Sequence, residues 1–280
     1  MICKGVNMTK KKFYKIALFL IMILIALICL LPFYFMLIMS TQYTEDIYKG
    51  ITFLPGRYLL ENLKTVMNAH FEVYYKNSLI VAASATALSL IVSTMCGFSF
   101  AMYNFKGSKF LFAFVLVTMM IPTQLGLVAF VVEMKAIGWM NTLLPLIVPP
   151  AATGFGVYWM KNFIGSNFPK ELMDSARIDG ASEPGILFSI AVPCIKPAIA
   201  SLGLMNFVTN WNSFLVPLIV LNKSETYTVP IGIINLNSAY RNDLAAKITA
   251  LSIGIIPLLI LFLLTAKTFI SGITMGAVKE

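Results

Sequence analysis

Between Phe168 and Pro193 the sequence reads FPKELMDSARIDGASEPGILFSIAVP, and its charged residues suit docking better than bond breaking. Pro169 is tolerated in a first helical turn, and Lys170 to Ile178 contains no breaker, so a short helix is predicted there. Asp179-Gly180 is a turn signal, with glycine supplying the left-handed conformation that ends helices. Ser182 then caps a second short helix that carries Pro184 in its first turn. The product is a helix-turn-helix that displays carboxylates around one tight glycine turn. An ordinary amphipathic connector would account for the apolar stretch Pro184 to Ile195. It would not account for the ordered set Glu171, Asp174, Arg177 and Asp179 around a capping glycine, which fits a rigid projection that a soluble partner grips.

A second set of polar residues lies in an apolar run. Asn206, Asn210 and Ser213 recur at i, i+4 and i+7 and so share one helix face, with Pro217 continuing it, while Asn212 points away. Such residues either line a solute path or bond neighbouring helices, and the second role is the commoner. Catalytic chemistry finds no support. No stretch matches G-x-x-x-x-G-K-[ST] (Gly107-Ser108-Lys109 runs into Phe110), and neither H-E-x-x-H nor G-x-S-x-G occurs. Cys3, Cys29, Cys96 and Cys194 lack metal-like spacing, and His70 has no Cys or acidic cluster near it. No catalytic residue and no metal ligand is assigned.

The elements that must position these residues follow from composition. Of 280 residues, 59% are hydrophobic and 12% charged, against about 25% charged in an average soluble protein. The expected class is an all-α membrane protein with six transmembrane helices, at about 16–39, 78–103, 110–132, 142–160, 198–221 and 248–266. The run after Lys15 is longer than a signal-peptide core and lacks an A-x-A site, so it reads as a retained first helix. Pro184 to Ile195 is too short to cross and is placed at the cytoplasmic interface.

Orientation follows from the basic residues. Thirteen of the 21 fall in the N-terminus, 104–109, 161–197 and the C-terminus, and eight in the opposite loops, so both termini are expected in the cytoplasm. The same rule accounts for the net charge of +9 without nucleic acid. The spans hold almost no ionisable groups, Glu133 and Lys267 lying at span ends, which disfavours an ion-coupled transporter. Prolines 32, 122, 145, 149, 150, 217 and 257 recur in or beside the spans, as suits a bundle packed around a pathway.

The 168–193 segment resembles the EAA loop of permeases in ATP-binding-cassette (ABC) importers, whose pattern is E-A-A, three residues, G, nine residues, I, one residue, L-P. Asp174-Ser175-Ala176 occupies the triplet, Gly180 and Ile190 follow at the required intervals, and Val192-Pro193 closes the pattern. Asp for Glu, Ser for Ala and Val for Leu are departures that keep the carboxylate and small-residue character. Further matches resemble the carbohydrate-importing, maltose-type branch of these binding-protein-dependent inner-membrane components. They are Asn77-Ser78-Leu79, Asn104-Phe105-Lys106-Gly107, Ile121-Pro122, Gly138 to Thr142, Trp211-Asn212-Ser213-Phe214 with Pro217-Leu218, and Ser271 to Lys279.

The resemblance implies a type I importer permease in the bacterial plasma membrane, working by alternating access. It pairs with a second homologous permease, an ABC ATPase dimer that carries the ATP and Mg, and an extracellular sugar-binding protein; this chain binds no cofactor. The implied layout is a cytoplasmic tail (1–15), a first helix (16–39), an extracellular loop (40–77), a permease core (78–270) with its coupling loop (164–197), and a C-terminal tail (271–280). Glu171, Asp174, Ser175, Ala176, Arg177, Asp179, Gly180 and Ala181 are expected to couple to the ATPase. Asn206, Asn210, Trp211, Asn212 and Ser213 are expected along the substrate path. Tyr227, Asn235, Asn237 and Tyr240, in the 222–247 loop, are expected to meet the binding protein. Tyr103, Trp159 and Trp211 suit either stacking on a sugar ring or interfacial anchoring. A non-sugar cargo or an ion-coupled secondary transporter are the alternatives.

Overall fold

The computed structural model describes residues 3–238 and 241–277, with side chains for 13–236 and 243–266. In chain order the helices begin with α1 (Cys3–Ser40), α2 (Thr44–Lys49), α3 (Leu59–Asn68), α4 (Phe71–Met102) and α5 (Ser108–Met120). A 3-10 turn (Thr123–Gly126), α6 (Leu127–Ala136), α7 (Leu144–Ile147), a second 3-10 turn (Pro149–Ala151) and α8 (Gly154–Asn167) follow. Next come α9 (Lys170–Ile178), α10 (Glu183–Gly185), a π-helix (Ile186–Ala191), α11 (Val192–Cys194), α12 (Lys196–Trp211) and α13 (Leu215–Val220). The chain ends with a 3-10 turn (Ser224–Thr226), α14 (Val229–Asn235), a two-residue antiparallel pair β1 (Asn237–Ser238) and β2 (Arg241–Asn242), α15 (Leu244–Gly254) and α16 (Ile256–Ala277).

Among the described residues, three helical segments are long and apolar enough to cross a membrane: Phe13–Ser40, Phe71–Met102 and Leu244–Ala266. Two bent pairs bring the number to five. The expected straight span at 110–132 bends by 88° between α5 and α6. Pro122 is the cause, since it lacks an N–H and forces Ile121 into extended backbone at φ −84°, ψ 117°. The expected fourth span, 142–160, is divided by Pro145, Pro149 and Pro150 into α7, a 3-10 turn and α8. The segment Glu183–Cys194 meets α12 at 82°. It therefore lies across the axis of α12 rather than along it, as a surface-lying stretch requires.

The residues form two compact units. In the first, which runs to Ala69 and includes Leu236–Ile253, hydrogen bonds fix the chain that leaves α1. Asn62 Nδ2 donates to the carbonyls of Ser40 (2.8 Å) and Gln42 (2.9 Å), and Gly56 N–H donates to Thr41 Oγ1 (2.6 Å). Thr44 Oγ1 donates to Asp243 Oδ1 (2.8 Å) and accepts from Ala245 N–H (3.0 Å), pinning the start of α15. By contrast, the apolar side chains along α1 are exposed through most of its length. Water does not tolerate so long an apolar surface, so lipid or other membrane helices must cover it.

In the second unit, His70–Asn235 with the residues from Gly254 on, α4 packs against both α8 and α12. Gly97 allows the close approach to α8, because a Cβ there would lie 2.6 Å from Met160 Cβ and 2.8 Å from Lys161 N. Phe98, Met160, Ile164, Ile186, Ile195 and Leu202 form the centre of the main apolar cluster. A smaller cluster joins Val81, Leu146, Val220 and Leu221.

Candidate functional site: a hairpin and a cavity

The helix-turn-helix forms within one or two residues of the sequence reading. Helix α9 spans Lys170–Ile178, and Gly180 adopts φ +79°. The Ala181 N–H reaches back to the Ala176 carbonyl (2.9 Å), and Gly180 N–H to that of Arg177 (3.0 Å), closing the helix end. Ser182 Oγ accepts from Gly185 N–H and caps α10. Amphipathicity fixes the orientation of α9. Met173 and Ala176 are buried and join Phe168, Ile186 and Leu187 in the cluster that includes Phe98 and Met102 of α4. The opposite side exposes Glu171, Asp174, Ser175, Ile178, Asp179 and Gly180.

Within the triplet, then, Ala176 is a root in the core. Ser175 Oγ donates to the Glu171 carbonyl (2.8 Å), and Asp174 is exposed with its ion-pair partner Arg177 at 3.5 Å. Ile178 had not been singled out by the sequence, yet it is 86% exposed at the hairpin tip.

Glu183 is a second residue that sequence reasoning missed. Arg177 donates to its Oε1 from Nε (2.9 Å) and Nη2 (2.9 Å), while the Tyr103 hydroxyl donates to Oε2. The Arg177 guanidinium also stands 5.7 Å from the centre of the Tyr103 ring. The Tyr103 hydrogen bond, aided by Arg177, holds Glu183 below the usual carboxylate range, and the bond to Glu183 raises Arg177 in turn. The spacing of Arg177 and Glu183 across a glycine turn was a usable signal. Tyr103, distant in sequence, carried none, and its ring is engaged here rather than free to stack on a solute.

The second feature is a cavity of about 1010 Å³ within the second unit. Three of the breaks in the helical path reach it: Ile121 to Gly126 between α5 and α6, Pro149 to Thr153 before α8, and Ser213 between α12 and α13. Non-helical backbone at membrane depth is tolerated where it lines a water-filled cavity or is buried in protein, so this convergence has a physical reason. Asn206, Asn210, Ser213 and Pro217 all line the wall, as their shared face predicts. Thr209, Gln124 and Glu133 join them, and among the described residues Glu133 is the one ionisable side chain in the lining. Asn206 also bonds a neighbouring helix, its Nδ2 donating to Ser89 Oγ (2.9 Å).

Trp211 and Asn212 stand apart from this wall, against the expectation that both follow the path. Trp211 is 3% exposed, its indole N–H donates to the Gly254 carbonyl (3.0 Å), and its ring stacks on Phe207. It is a packing residue between α12 and Gly254. Asn212 caps the end of α12 and is exposed. Trp159 donates its indole N–H to the Ala198 carbonyl (3.3 Å), again between helices.

In the 222–247 loop, Tyr227 packs against Tyr74 at 6.0 Å between ring centres. Asn77 Nδ2 donates to the carbonyls of Glu225 (2.9 Å) and Tyr227 (3.0 Å), and Val229 N–H donates to Ser78 Oγ (2.8 Å). Asn77 and Ser78 thus pin this loop to α4. Asn235 is exposed and bonds the Ile231 carbonyl (3.0 Å). The Asn237 side chain and Tyr240 lie outside the described residues, as do Val278 and Lys279 of the C-terminal pattern. Among the described residues no group of three or more His, Cys, Asp or Glu is placed to hold a metal.

Comparison with known proteins brings these features together. The family described as binding-protein-dependent transport system inner membrane component matches residues 89–273, which contain both the hairpin and nearly all of the cavity wall. The arabinooligosaccharides transport system permease protein AraQ of Bacillus subtilis (strain 168) is 35% identical over 95% of this chain and 96% of that protein. The trehalose/maltose transport system permease protein MalG of Thermococcus litoralis is 33% identical over 92% and 94% respectively. Among solved structures, a chain of a bacterial ABC transporter involved in the import of the acidic polysaccharide alginate has the same fold. It superposes with a TM-score of 0.77 over 92% of this chain and 97% of that one, at 20% identity. The chain therefore belongs to the family of binding-protein-dependent transport system inner membrane components.

Proposed function

We propose that this chain is a permease subunit of an ATP-driven sugar importer, contributing part of the translocation path and the dock for a separate ATPase. The observation that carries this reading is the convergence of three helix breaks and the Asn206, Asn210 and Ser213 face on one cavity. Hydroxyl and amide groups hydrogen-bond a polyol without demanding a charge, and among the described residues Glu133 is the only ionisable group in the wall. An uncharged saccharide fits that chemistry, and the names of the two relatives, for arabinooligosaccharides and for trehalose/maltose, support it.

The partners follow from the family. A second homologous permease completes the path, an ABC ATPase dimer binds ATP and Mg, and an extracellular binding protein delivers the sugar against the 222–247 loop. This chain is not itself an enzyme. The exposed face of α9, with Glu171, Asp174 and Asp179 around the apolar tip Ile178, is the surface offered to the ATPase. ATP binding draws the two ATPases together, the hairpins move with them, and the rigid cores tilt between outward- and inward-open states. Both termini, the hairpin and the 104–109 turn lie in the cytoplasm, and residues 40–77 and 222–247 lie outside.

The test is uptake of labelled arabinotriose and maltotriose into vesicles holding this chain with its partner permease, ATPase and binding protein. Uptake of either sugar with internal ATP, and none with a proton gradient alone, is the expected result. Uptake driven by the gradient without ATP would refute the reading.

A further inference from the structure

We infer that Tyr103, Arg177 and Glu183 form a clasp that carries force between the coupling hairpin and α4, and that Tyr103 and Glu183 are positioning residues for coupled transport. The inference rests on the proposed function, and it concerns how the hairpin is held rather than what it touches.

The geometry has two parts. Arg177, in the last turn of α9, and Glu183, the first residue of α10, join the two arms of the hairpin across the Gly180 turn. Tyr103, the residue that ends α4, then takes the other oxygen of the same carboxylate. Each Glu183 oxygen is thereby bound to a different element, and the Arg177 guanidinium stands over the Tyr103 ring. Tyr103 is itself held, with its N–H on the Ser99 carbonyl (3.1 Å) and its ring edge-on to Phe98 at 5.8 Å.

Stability does not explain the arrangement. The Arg177 and Glu183 side chains are 37% and 51% exposed, and exposed ion pairs contribute little to folding. Met173, Ala176 and Phe168 already root the hairpin by apolar contact. Apolar contact is non-directional, however, so it holds the hairpin without fixing its angle, whereas the directed Tyr103 bond to a carboxylate that Arg177 already orients does fix it.

Beyond its apolar root and its junction with α8, the hairpin reaches the bundle through the Ile186–Ala191 π-helix and the 82° bend before α12. A π-helix is a looser hydrogen-bonded path than an α-helix. The clasp instead links the hairpin directly to α4, which packs on both α8 and α12. With the clasp open, the ATPase still docks on the exposed face of α9, but its movement tilts the hairpin on its apolar root without driving α4.

The experiment uses the full complex in vesicles and reads three quantities: retention of the ATPase during purification, ATP hydrolysed, and labelled arabinotriose and maltotriose imported. Tyr103→Phe keeps the ring and removes the hydroxyl, and Glu183→Gln keeps the shape and removes the charge. Both are expected to retain the ATPase and to hydrolyse ATP within about twofold of wild type while sugar imported per ATP falls about fivefold or more. The double variant is expected to be no worse than the poorer single one, because both act through one link. Unchanged sugar per ATP in both single variants, beside a wild type that imports with ATP, overturns the clasp and leaves the proposed function standing. Loss of ATPase retention in Tyr103→Phe also overturns it, since Tyr103 would then be a docking contact. A wild type that fails to import with ATP overturns both.

Discussion

Gly180 shows how a single backbone angle becomes a functional requirement. Its φ of +79° is the left-handed region, and nothing lies within 4 Å of where a Cβ would stand. Space is therefore not what selects glycine; conformation is. An L-residue with a Cβ is strained there by about 1 kcal/mol, while Asn enters this region more readily than most. Gly180→Val is expected to shift the turn and weaken ATPase retention on purification of the complex, whereas Gly180→Asn is expected to preserve most of it. Equal loss in both would mean that the partner, not the backbone, demands glycine. The need for glycine was legible in the sequence because turn chemistry is local, as was the helix from Lys170 to Ile178. Trp211 is the counter-example. Its neighbours in sequence placed it with the polar residues of the path, but the Gly254 carbonyl that captures its indole is 43 residues away and left no trace in local pattern.

At the scale of elements, the sequence revealed where helices exist better than where they stay straight. Uncharged length is a property of a window, so the spans at 16–39 and 78–103 were readable, although the second begins at Phe71, inside the stretch expected as a loop, because Glu72 and Lys76 ended the uncharged run. Pro122 and the Pro149-Pro150 pair were visible too, yet a proline in a span can kink a helix slightly or break it outright. Which occurs depends on whether neighbouring groups or a cavity satisfy the freed backbone, and that is decided only in three dimensions. Close helix contact was equally hidden. Gly97 reads as one glycine in an apolar run, but a Cβ there would meet Met160 Cβ at 2.6 Å and the Lys161 backbone N at 2.8 Å. Backbone cannot yield as a side-chain tip does, so Gly97→Ala is expected to destabilise the α4–α8 pair by about 1–3 kcal/mol, the usual cost of overpacking. Gly203→Ala is the control, since its Cβ would meet only the end of Leu90, at 3.3 Å. Thermal denaturation of the purified protein should show a clear fall in midpoint for the first and little change for the second. A Gly97→Ala midpoint matching that of Gly203→Ala would show that the two helices separate freely.

At the scale of the whole molecule, the proposed mechanism depends on which side of the membrane each loop occupies, because the hairpin must face ATP and the 222–247 loop must face the binding protein. The basic residues carry this assignment: 13 of the 21 fall on the side assigned to the cytoplasm, and basic residues near span ends resist translocation. Two exposed positions test it in a background with Cys3, Cys29, Cys96 and Cys194 replaced by serine. Ser224 lies in the loop assigned to the outside and Lys106 in the turn between α4 and α5 assigned to the inside; both are exposed. Ser224→Cys is expected to react with a membrane-impermeant maleimide on intact cells, and Lys106→Cys only after permeabilisation. The two sites are separated by an odd number of crossings in the proposed topology, so opposite labelling is required whatever the direction. If both react on intact cells, the crossing count between them is wrong. If the pattern is inverted, the hairpin faces away from ATP, and the coupling proposed for it cannot operate.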